Sequence, residues 1–265
     1  MSTADQHPLR FAAIDRLYGA GTAARFARAN VAIVGLGGVG SWIAEALARS
    51  GFGHLSLIDA DEVCVSNTNR QLHALDGTFG RVKVEVLAER LRAINPQLQV
   101  SPIAEFLTEE NLARLLEARF DYVIDACDSV RSKVAMIVAL KRRKIPLLTI
   151  GAAGGRIDPA RIDVRDLSKT VNDALLAEVR RKLRDDHGWT RNPKRYFGIQ
   201  AIYSREAPRW PLADGSVSCQ VKLLPHAAQR LDCGNGLGAA MHVTASFGML
   251  AVARMIDRML ERKLV

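Results

Sequence analysis

Closely spaced cysteine pairs are absent from this sequence of 265 residues, which holds four cysteines and no Cys-x-x-Cys motif. A structural zinc site built from four thiolates needs such pairs, so we expect no zinc. The scattered positions predict four reduced thiols: Cys64, Cys127, Cys219 and Cys233. Nothing beside Cys219 or Cys233 marks a lowered pKa, and we therefore predict no catalytic cysteine.

Long apolar runs are also scarce. Residues 1–8 lack the basic start and apolar stretch of a signal peptide, which favours a cytoplasmic protein. One stretch without acidic or basic side chains, 236–253, approaches the length of a membrane span. Its glycines and its His, Thr and Ser side chains keep its hydrophobicity low, so we predict a buried core helix that does not enter a membrane.

Acidic residues are fewer than basic ones. The sequence contains 37 Lys and Arg but only 28 Asp and Glu, which gives a formal net charge of +9. Such a charge attracts polyanions, although solvated surface charge is the simpler explanation. Three basic stretches are suited to a phosphate backbone: 141–144, 180–184 and 191–195. Trp189 and Tyr196 lie beside them and offer rings for base stacking, so we predict a nucleic-acid partner.

The first half of the chain alternates between strand and helix patterns. A β-branched run at 30–35, a helix pattern at 41–49 and a second strand pattern at 54–59 form a βαβ unit. Further helices are predicted from residues 81, 108 and 132, and further strands at 98–103, 121–125 and 146–150. This alternation predicts a doubly wound α/β fold with a mostly parallel sheet.

The second half is harder to interpret. Residues 156–167 suggest antiparallel strands, so we expect a C-terminal extension that completes the same sheet. We predict a single domain over 1–265, with a nucleotide-binding half at 1–155 and a substrate-side extension at 156–265.

A glycine-rich turn lies between the first strand and the first helix. Its sequence at 35–40, GLGGVG, matches G-x-G-x-x-G, in which glycines permit a tight turn and let backbone N–H groups approach phosphate oxygens. Asp59 ends the second strand nineteen residues after Gly40, where its carboxylate can accept hydrogen bonds from ribose hydroxyls. These features fit NAD as well as ATP.

Charged residues beyond this turn favour ATP. Arg70 offers paired donors and Lys83 a point charge, and the concentrated charge of a triphosphate needs both, whereas a dinucleotide does not. Asp128 follows the fourth predicted strand, at the sheet edge where open α/β folds bind ligands. Mg²⁺ prefers one or two carboxylates together with substrate phosphates, so we predict ATP and Mg²⁺, with Asp128 as the metal residue.

These motifs resemble the ubiquitin-activating-enzyme-like superfamily of adenylating proteins. The resemblance rests on GLGGVG at 35–40, DADEVCVSNTNRQ at 59–71, Lys83 and DACDS at 125–129. Within the superfamily, the chain resembles the tRNA threonylcarbamoyladenosine dehydratases over nearly its whole length. This further resemblance rests on RF at 10–11, RLYG at 16–19, SWIAEALARSGFG at 41–53, GAAGG at 151–155, DPARIDVRDLSKT at 158–170 and DCGNGLGAAMHVTASFG at 232–248.

The resemblance implies a set of site residues. It implies Arg70, Lys83 and Asp128 as catalytic residues. It implies as nucleotide-binding residues Gly35, Gly37, Gly38, Gly40, Asp59, Asp61, Asn67, Asn69, Arg70, Lys83 and Ser129. It also implies a homodimer in which an N-terminal arginine of the partner subunit, Arg10 or Arg16, reaches the triphosphate.

The implied activity is an ATP-dependent dehydration of tRNA. The carboxylate of threonylcarbamoyladenosine, beside the anticodon, is adenylated and then cyclised with loss of water. Three alternatives stay open. One is adenylation of the C-terminus of a ubiquitin-like sulfur-carrier protein, against which the missing Cys-x-x-Cys pairs weigh. A second is a non-enzymatic partner that binds a sulfur-transfer protein, against which the intact set of ATP-binding residues weighs. The third is an NAD-dependent oxidoreductase, against which Arg70 and Lys83 weigh.

Overall fold

The computed structural model describes residues 3–212, 214–219 and 237–261, and side chains at the N-terminus from residue 9 onward. Its helices are α1 Thr3–Tyr18, α2 Thr22–Arg28, α3 Gly40–Arg49, α4 Lys83–Ile94, α5 Leu112–Leu115, α6 Val130–Arg142, α7 Ala174–His187 and α8 Met241–Glu261. Its strands are β1 Asn30–Val34, β2 His54–Ile58, β3 Gln99–Ile103, β4 Tyr122–Asp125, β5 Leu147–Ile150, β6 Ile162–Asp166, β7 Gln200–Ser204, β8 Trp210–Pro211 and β9 Val217–Ser218.

Seven of these strands form one sheet in the order β3-β2-β1-β4-β5-β7-β6. Every neighbouring pair is parallel except β6 and β7, which are antiparallel. The strand order reverses between β1 and β4, and such a switch point opens a crevice at the carboxyl ends of the strands. The predicted doubly wound sheet is confirmed, and β6 and β7 complete it from the extension.

Helices cover both faces of the sheet. In β1, Val31 and Ile33 join a core with side chains of α3, α4 and α8, whereas Ala32 and Val34 join a core with side chains of α6 and α7. Successive side chains of a strand point to opposite faces, so a continuous apolar run serves both cores. This is why the predicted strands contain few polar residues.

The apolar stretch near the C-terminus forms α8, which packs closely on α3. Gly248 permits the approach, because a Cβ there would lie 3.0 Å from the Val39 carbonyl oxygen and 3.2 Å from Trp42 Cβ. The prediction of a buried helix is therefore confirmed. Among the described residues, no helix combines the length and the apolar character that a membrane span requires.

Some local predictions differ from the structure. The helix predicted from residue 108 begins only at Leu112, because the Asn111 side chain accepts from the Thr108 N–H and donates to the Phe106 carbonyl, which closes a turn instead. In 156–167 only β6 is a strand, preceded by a short helical turn at Pro159–Arg161. The sequence patterns do not predict α1 or α2.

Candidate active site

A cavity of about 750 Å³ opens at the carboxyl ends of β1, β2, β4 and β5. It lies beside the switch point, where this fold class binds its ligands. Every predicted site residue except Gly40 lines it: Gly35, Gly37, Gly38, Asp59, Asp61, Asn67, Asn69, Arg70, Lys83, Asp128 and Ser129. The structure therefore brings residues from four separate segments of the sequence to one place.

The glycine turn owes its sequence to close backbone packing. Gly35 has φ +86°, and a Cβ there would lie 2.7 Å from the Cys127 nitrogen. A Cβ on Gly40 would lie 1.8 Å from the Gly35 carbonyl oxygen. Gly40 does not line the cavity, so the structure requires glycine there for the close approach of the start of α3 to the Gly35 carbonyl, and the predicted role of Gly40 in the site gains no support from the cavity lining.

Asp59 fastens the end of β2 to the glycine turn. One carboxylate oxygen accepts from the Leu36 N–H at 2.6 Å, and the other accepts from the Asp61 N–H at 2.8 Å. Burial raises the pKa of Asp59, while the charge of Lys83 and these two hydrogen bonds act to lower it. The buried carboxylate thus fixes the glycine turn to the end of β2, beside the position predicted for the ribose.

Lys83, the first residue of α4, places its ammonium group inside the cavity wall. The side chain is 6% exposed, and its Nζ lies 2.7 Å from a carboxylate oxygen of Asp61. The Asp61 side chain is 51% exposed, so the pair borders the open part of the cavity. A phosphate group placed there would meet a buried cation whose present partner can turn toward solvent.

Arg70 lies across the glycine turn from Lys83. Its Nη1 donates to the Ser66 carbonyl and to Asn69 Oδ1, both at 2.9 Å. No carboxylate oxygen of the described chain lies within 4.0 Å of its guanidinium, so its charge is available to an anion. Asn69 Nδ2 donates to the Ala239 carbonyl at 2.7 Å, which links Arg70 to the segment before α8.

Asn67 and Ser129 organise the loops of the cavity. The Asn67 side chain is buried, and its Oδ1 accepts from the Cys64 N–H at 3.1 Å. Ser129 caps α6, since its Oγ accepts from the Ser132 N–H at 3.3 Å. Asp128 precedes this cap and exposes its carboxylate.

A buried ionic network supports the cavity floor, and pattern analysis missed it. Lys133 Nζ donates to Asp125 Oδ1 at 3.0 Å and to the Ile150 carbonyl at 2.7 Å. Cys127 donates its thiol to the same Asp125 oxygen at 3.1 Å, and burial together with that carboxylate raises the pKa of the thiol. One signal was available in the sequence. Lys133 lies three residues after Val130 and four before Ile137, a helical spacing that indicates a buried position for a lysine.

The other cysteines differ in their positions relative to the cavity. Cys64 lines the cavity, and Cys219 is exposed outside it. Cys233 lies outside the described residues. The loop after β5, 151–154, also lines the cavity, and so does the C-terminal extension through Leu237, Gly238, Ala239 and Thr244; the sequence did not predict this lining.

The two candidate N-terminal arginines lie away from the cavity of their own chain. Arg10 Nη1 donates to the Ile94 carbonyl at 3.1 Å, at the end of α4 farthest from Lys83. Arg16 is exposed in the last turn of α1. Neither lines the cavity, so the choice between them stays open.

The basic stretches differ in their surroundings. In 180–184, Arg181 pairs with Glu178 and Asp185, and Lys182 pairs with Asp186. Trp189 packs edge-on against Phe197 with ring centres 4.9 Å apart, so its ring is not free for base stacking as predicted. Tyr196 remains 69% exposed.

Comparison with known proteins agrees with this geometry. A tRNA threonylcarbamoyladenosine dehydratase of Escherichia coli (strain K12) is 48% identical over 253 residues, 96% of this chain and 94% of that protein. A protein of the same description from Haemophilus influenzae is 46% identical over 263 residues, 99% of this chain and 98% of that protein. The predicted resemblance is confirmed.

Solved structures extend the agreement to the fold. The Escherichia coli tRNA N6-threonylcarbamoyladenosine dehydratase in complex with ATP superimposes with a TM-score of 0.86 at 44% identity, over 98% of each chain. The family model described as "ThiF family" matches residues 12–262. Because this match runs from α1 through the last turn of α8 and includes every residue that lines the cavity, the chain belongs to the ThiF family.

Proposed function

We propose that this protein is an ATP-dependent dehydratase that adenylates the carboxylate of threonylcarbamoyladenosine in tRNA and closes it into a ring. The observation that carries the proposal is the convergence of Arg70 and Lys83 on the glycine turn in one cavity. Relatives with nearly full coverage have this activity in their names, and one of them is described in complex with ATP. A nicotinamide dinucleotide, whose charge is less concentrated than that of a triphosphate, does not need two cations at this turn.

The proposed chemistry has two steps. The carboxylate oxygen of the modified nucleoside forms a bond to the α-phosphorus of ATP, and the bond to pyrophosphate breaks. The carbamoyl group of the same side chain then attacks the activated carbonyl carbon and displaces AMP. ATP is cleaved to AMP and pyrophosphate, AMP carries away one carboxylate oxygen, and the carbamoyl group loses a proton, so the nucleoside loses the equivalent of one water. Adenylation makes this possible because it turns a poor leaving group into a good one.

The protein's residues position groups and stabilise charge. The backbone N–H groups of the turn and the guanidinium of Arg70 are suited to the phosphate oxygens. The ammonium of Lys83 offers a fixed charge where negative charge develops. No enzyme nucleophile is required, which agrees with the raised pKa of the Cys127 thiol.

The residues present also fit magnesium. Asp128 exposes its carboxylate at the cavity, and no group of three or more metal-ligating side chains occurs in the described part of the chain. A single carboxylate fits the coordination preference of Mg²⁺, which takes most of its ligands from water and phosphates. When bound, the ion offsets negative charge on the phosphates.

The proposal includes a homodimer. Leu9 and Leu17 of α1 are 68% and 72% exposed, and apolar side chains of this kind suit a subunit interface. We propose that Arg10 or Arg16 of the partner subunit completes the triphosphate site. Mixing an Arg10→Ala/Arg16→Ala protein with a Lys83→Ala protein tests this, because mixed dimers regain one intact site only if the arginine acts across the interface.

We further propose that 1–155 supplies nucleotide binding and 156–265 the substrate side of one domain, since both halves line the cavity. The activity belongs in the cytoplasm, where tRNA and ATP meet. A sulfur-transfer protein is a further candidate partner, which co-purification tests.

Product analysis tests the activity itself. The protein is incubated with ATP, Mg²⁺ and tRNA carrying threonylcarbamoyladenosine, and the nucleosides are released by mild, cold digestion. We expect a cyclic nucleoside lighter by one water, with AMP and pyrophosphate. Release of ADP would contradict adenylation. An unchanged nucleoside, together with adenylation of a small protein's C-terminal carboxylate, would favour the carrier-activating alternative.

A further inference from the structure

Helix α6 connects the cavity to the opposite edge of the sheet. It begins beside Ser129 at the cavity and ends at Arg142, 13 residues later. At 1.5 Å per residue, this places the basic stretch 141–144 about 20 Å from the cavity. Pro146 then leads into β5, so the stretch lies where the parallel strands begin.

A second basic stretch, 191–195, lies at the same edge of the sheet. β7 runs parallel to β5, so the residues before Gln200 lie where β5 begins. Lys141 Nζ donates to the Phe197 and Gly198 carbonyls at 3.1 and 3.4 Å, which joins the two stretches.

Lys169 adds a further cation. It donates to the Pro193 carbonyl, and its Nζ lies 5.2 Å from the centre of the Tyr196 ring. We define the basic face as six cations together with Tyr196: Lys141, Arg142, Lys144, Lys169, Lys194 and Arg195.

The charge of the basic face is unopposed at short range. No carboxylate oxygen of the described residues lies within 4.0 Å of any of its cations. The neighbouring Arg191 differs, since it pairs with Asp185 at 2.6 Å. The carboxylate of Asp166 lies beside the same segment, but it accepts hydrogen bonds from the Phe197 and Gly198 N–H groups and forms no ion pair with a cation of the basic face.

The exposed ring distinguishes this face from ordinary solvated charge. Tyr196 is 69% exposed, next to cations that make no ion pair. Cations hold a phosphate backbone, and an exposed aromatic ring stacks on a base or packs on a sugar. This combination fits RNA better than an acidic protein, which needs no ring.

We propose that the basic face binds the sugar–phosphate backbone of the substrate tRNA at a second contact, about 20 Å from the cavity. The inference rests on the proposed function, because it assumes that the modified base enters the cavity. The protein then holds one tRNA at two places, the reacting nucleoside at one edge of the sheet and a stem at the other.

The test compares variants that carry the same change of charge. Arg142→Glu/Arg195→Glu reverses the charge of two cations of the basic face. Arg181→Glu/Lys182→Glu is the control, because Arg181 is already paired with Glu178 and Asp185 and Lys182 with Asp186. Binding of full-length tRNA is measured by fluorescence anisotropy over a salt series. We expect the double variant to lose at least tenfold in affinity and about one unit of salt slope per lost phosphate contact. The control should stay within about threefold, since a surface ion pair contributes little.

A short hairpin locates the contact. It keeps the modified nucleoside and the anticodon loop but only the first base pairs of the stem. We expect the double variant to raise KM for full-length tRNA and to leave KM for the hairpin and kcat for both RNAs unchanged. Equal losses for the double variant and the control, or equal losses on both RNAs, would overturn the proposal. If tRNA binds as expected but no nucleoside is cyclised, the basic face stands and the proposed function fails.

Discussion

Lys133 and Asp125 form an ion pair that is entirely buried beneath the cavity, with Nζ 3.0 Å from Oδ1 and both side chains 0% exposed. Asp125 ends β4, three residues before Asp128. The same ammonium group also donates to the carbonyl of Ile150, the last residue of β5. One lysine therefore fixes the starts of both loops, 126–129 and 151–154, that form the cavity floor.

We expect Lys133→Met to lower the free energy of unfolding by about 3–5 kcal/mol, because it leaves a buried carboxylate without its partner. Urea denaturation measures the loss. Lys141→Met is the matched control, since it removes an exposed lysine, one that makes no ion pair with any described residue, from the same helix. Adding Asp125→Asn to Lys133→Met should recover part of the loss. Similar losses in both lysine variants would contradict this role.

His73 predicts a dependence of stability on pH. It is 1% exposed, and burial together with the charge of Lys83 lowers its pKa to about 4. The unfolded chain, with a pKa near 6.5, therefore binds the proton more readily, and stability falls as the pH drops from about 6.5 toward 4.

Between pH 7 and 4.5 this histidine should account for a loss of about 2 kcal/mol in the free energy of unfolding. His73→Phe keeps a ring of similar size and removes the titration. Urea denaturation at both pH values should therefore show a smaller loss for the variant than for the unaltered protein. An identical pH response of the two proteins would be evidence against a neutral buried imidazole.

Removal of one phosphate-site cation should slow turnover without unfolding. We expect Arg70→Ala and Lys83→Ala each to reduce kcat by about a hundredfold to a thousandfold, the usual effect of losing one preorganised charge contact. Asp128→Asn should behave alike. Lys182→Ala, which removes a partly exposed lysine that is paired with Asp186, is the control. AMP release is the measurement, and near-normal turnover of a folded Arg70→Ala protein would remove that residue from the site.

Two glycines of the same turn should respond differently to alanine. A Cβ on Gly40 would lie 1.8 Å from the Gly35 carbonyl oxygen, whereas a Cβ on Gly37 meets its nearest atom, Gln71 Nε2, at 4.0 Å. We expect Gly40→Ala to prevent formation of the turn and Gly37→Ala to fold. Thermal unfolding followed by circular dichroism compares them. Equal melting temperatures would show that the turn rearranges.

The first half of the fold was predictable because its signals are local. The apolar run of β1, the glycines at 35–40 and the helical spacing of Val84, Leu87 and Leu91 each fix one element without reference to distant residues. Their order then dictates a parallel sheet, and the sheet brings the strand ends together. Arg70, Lys83 and Asp128 could therefore be placed in one cavity from the sequence.

What could not be predicted depends on distant partners. Nothing local to Thr244 indicates that it packs beside Gly38, because that contact exists only once α8 lies on α3. Helical spacing predicts the ion pairs of Arg181 with Glu178 and Asp185, which lie three and four residues away. These pairs were not predicted because the sequence patterns did not indicate α7. The sequence gives the number of charged residues, but only the structure shows which cations form ion pairs and which do not.

The contact of Gly38 with Thr244 and Arg70 has a consequence for synthesis on the ribosome. A Cβ at Gly38 would lie 3.2 Å from both side chains, so the turn is held between Arg70, in the first third of the chain, and Thr244 of α8. A nascent chain that has emerged as far as Asp128 carries the predicted phosphate ligands but lacks this second wall. At about 5–20 residues per second, α8 follows on the order of ten seconds later. Translation therefore sets a delay before the glycine turn is packed on both sides.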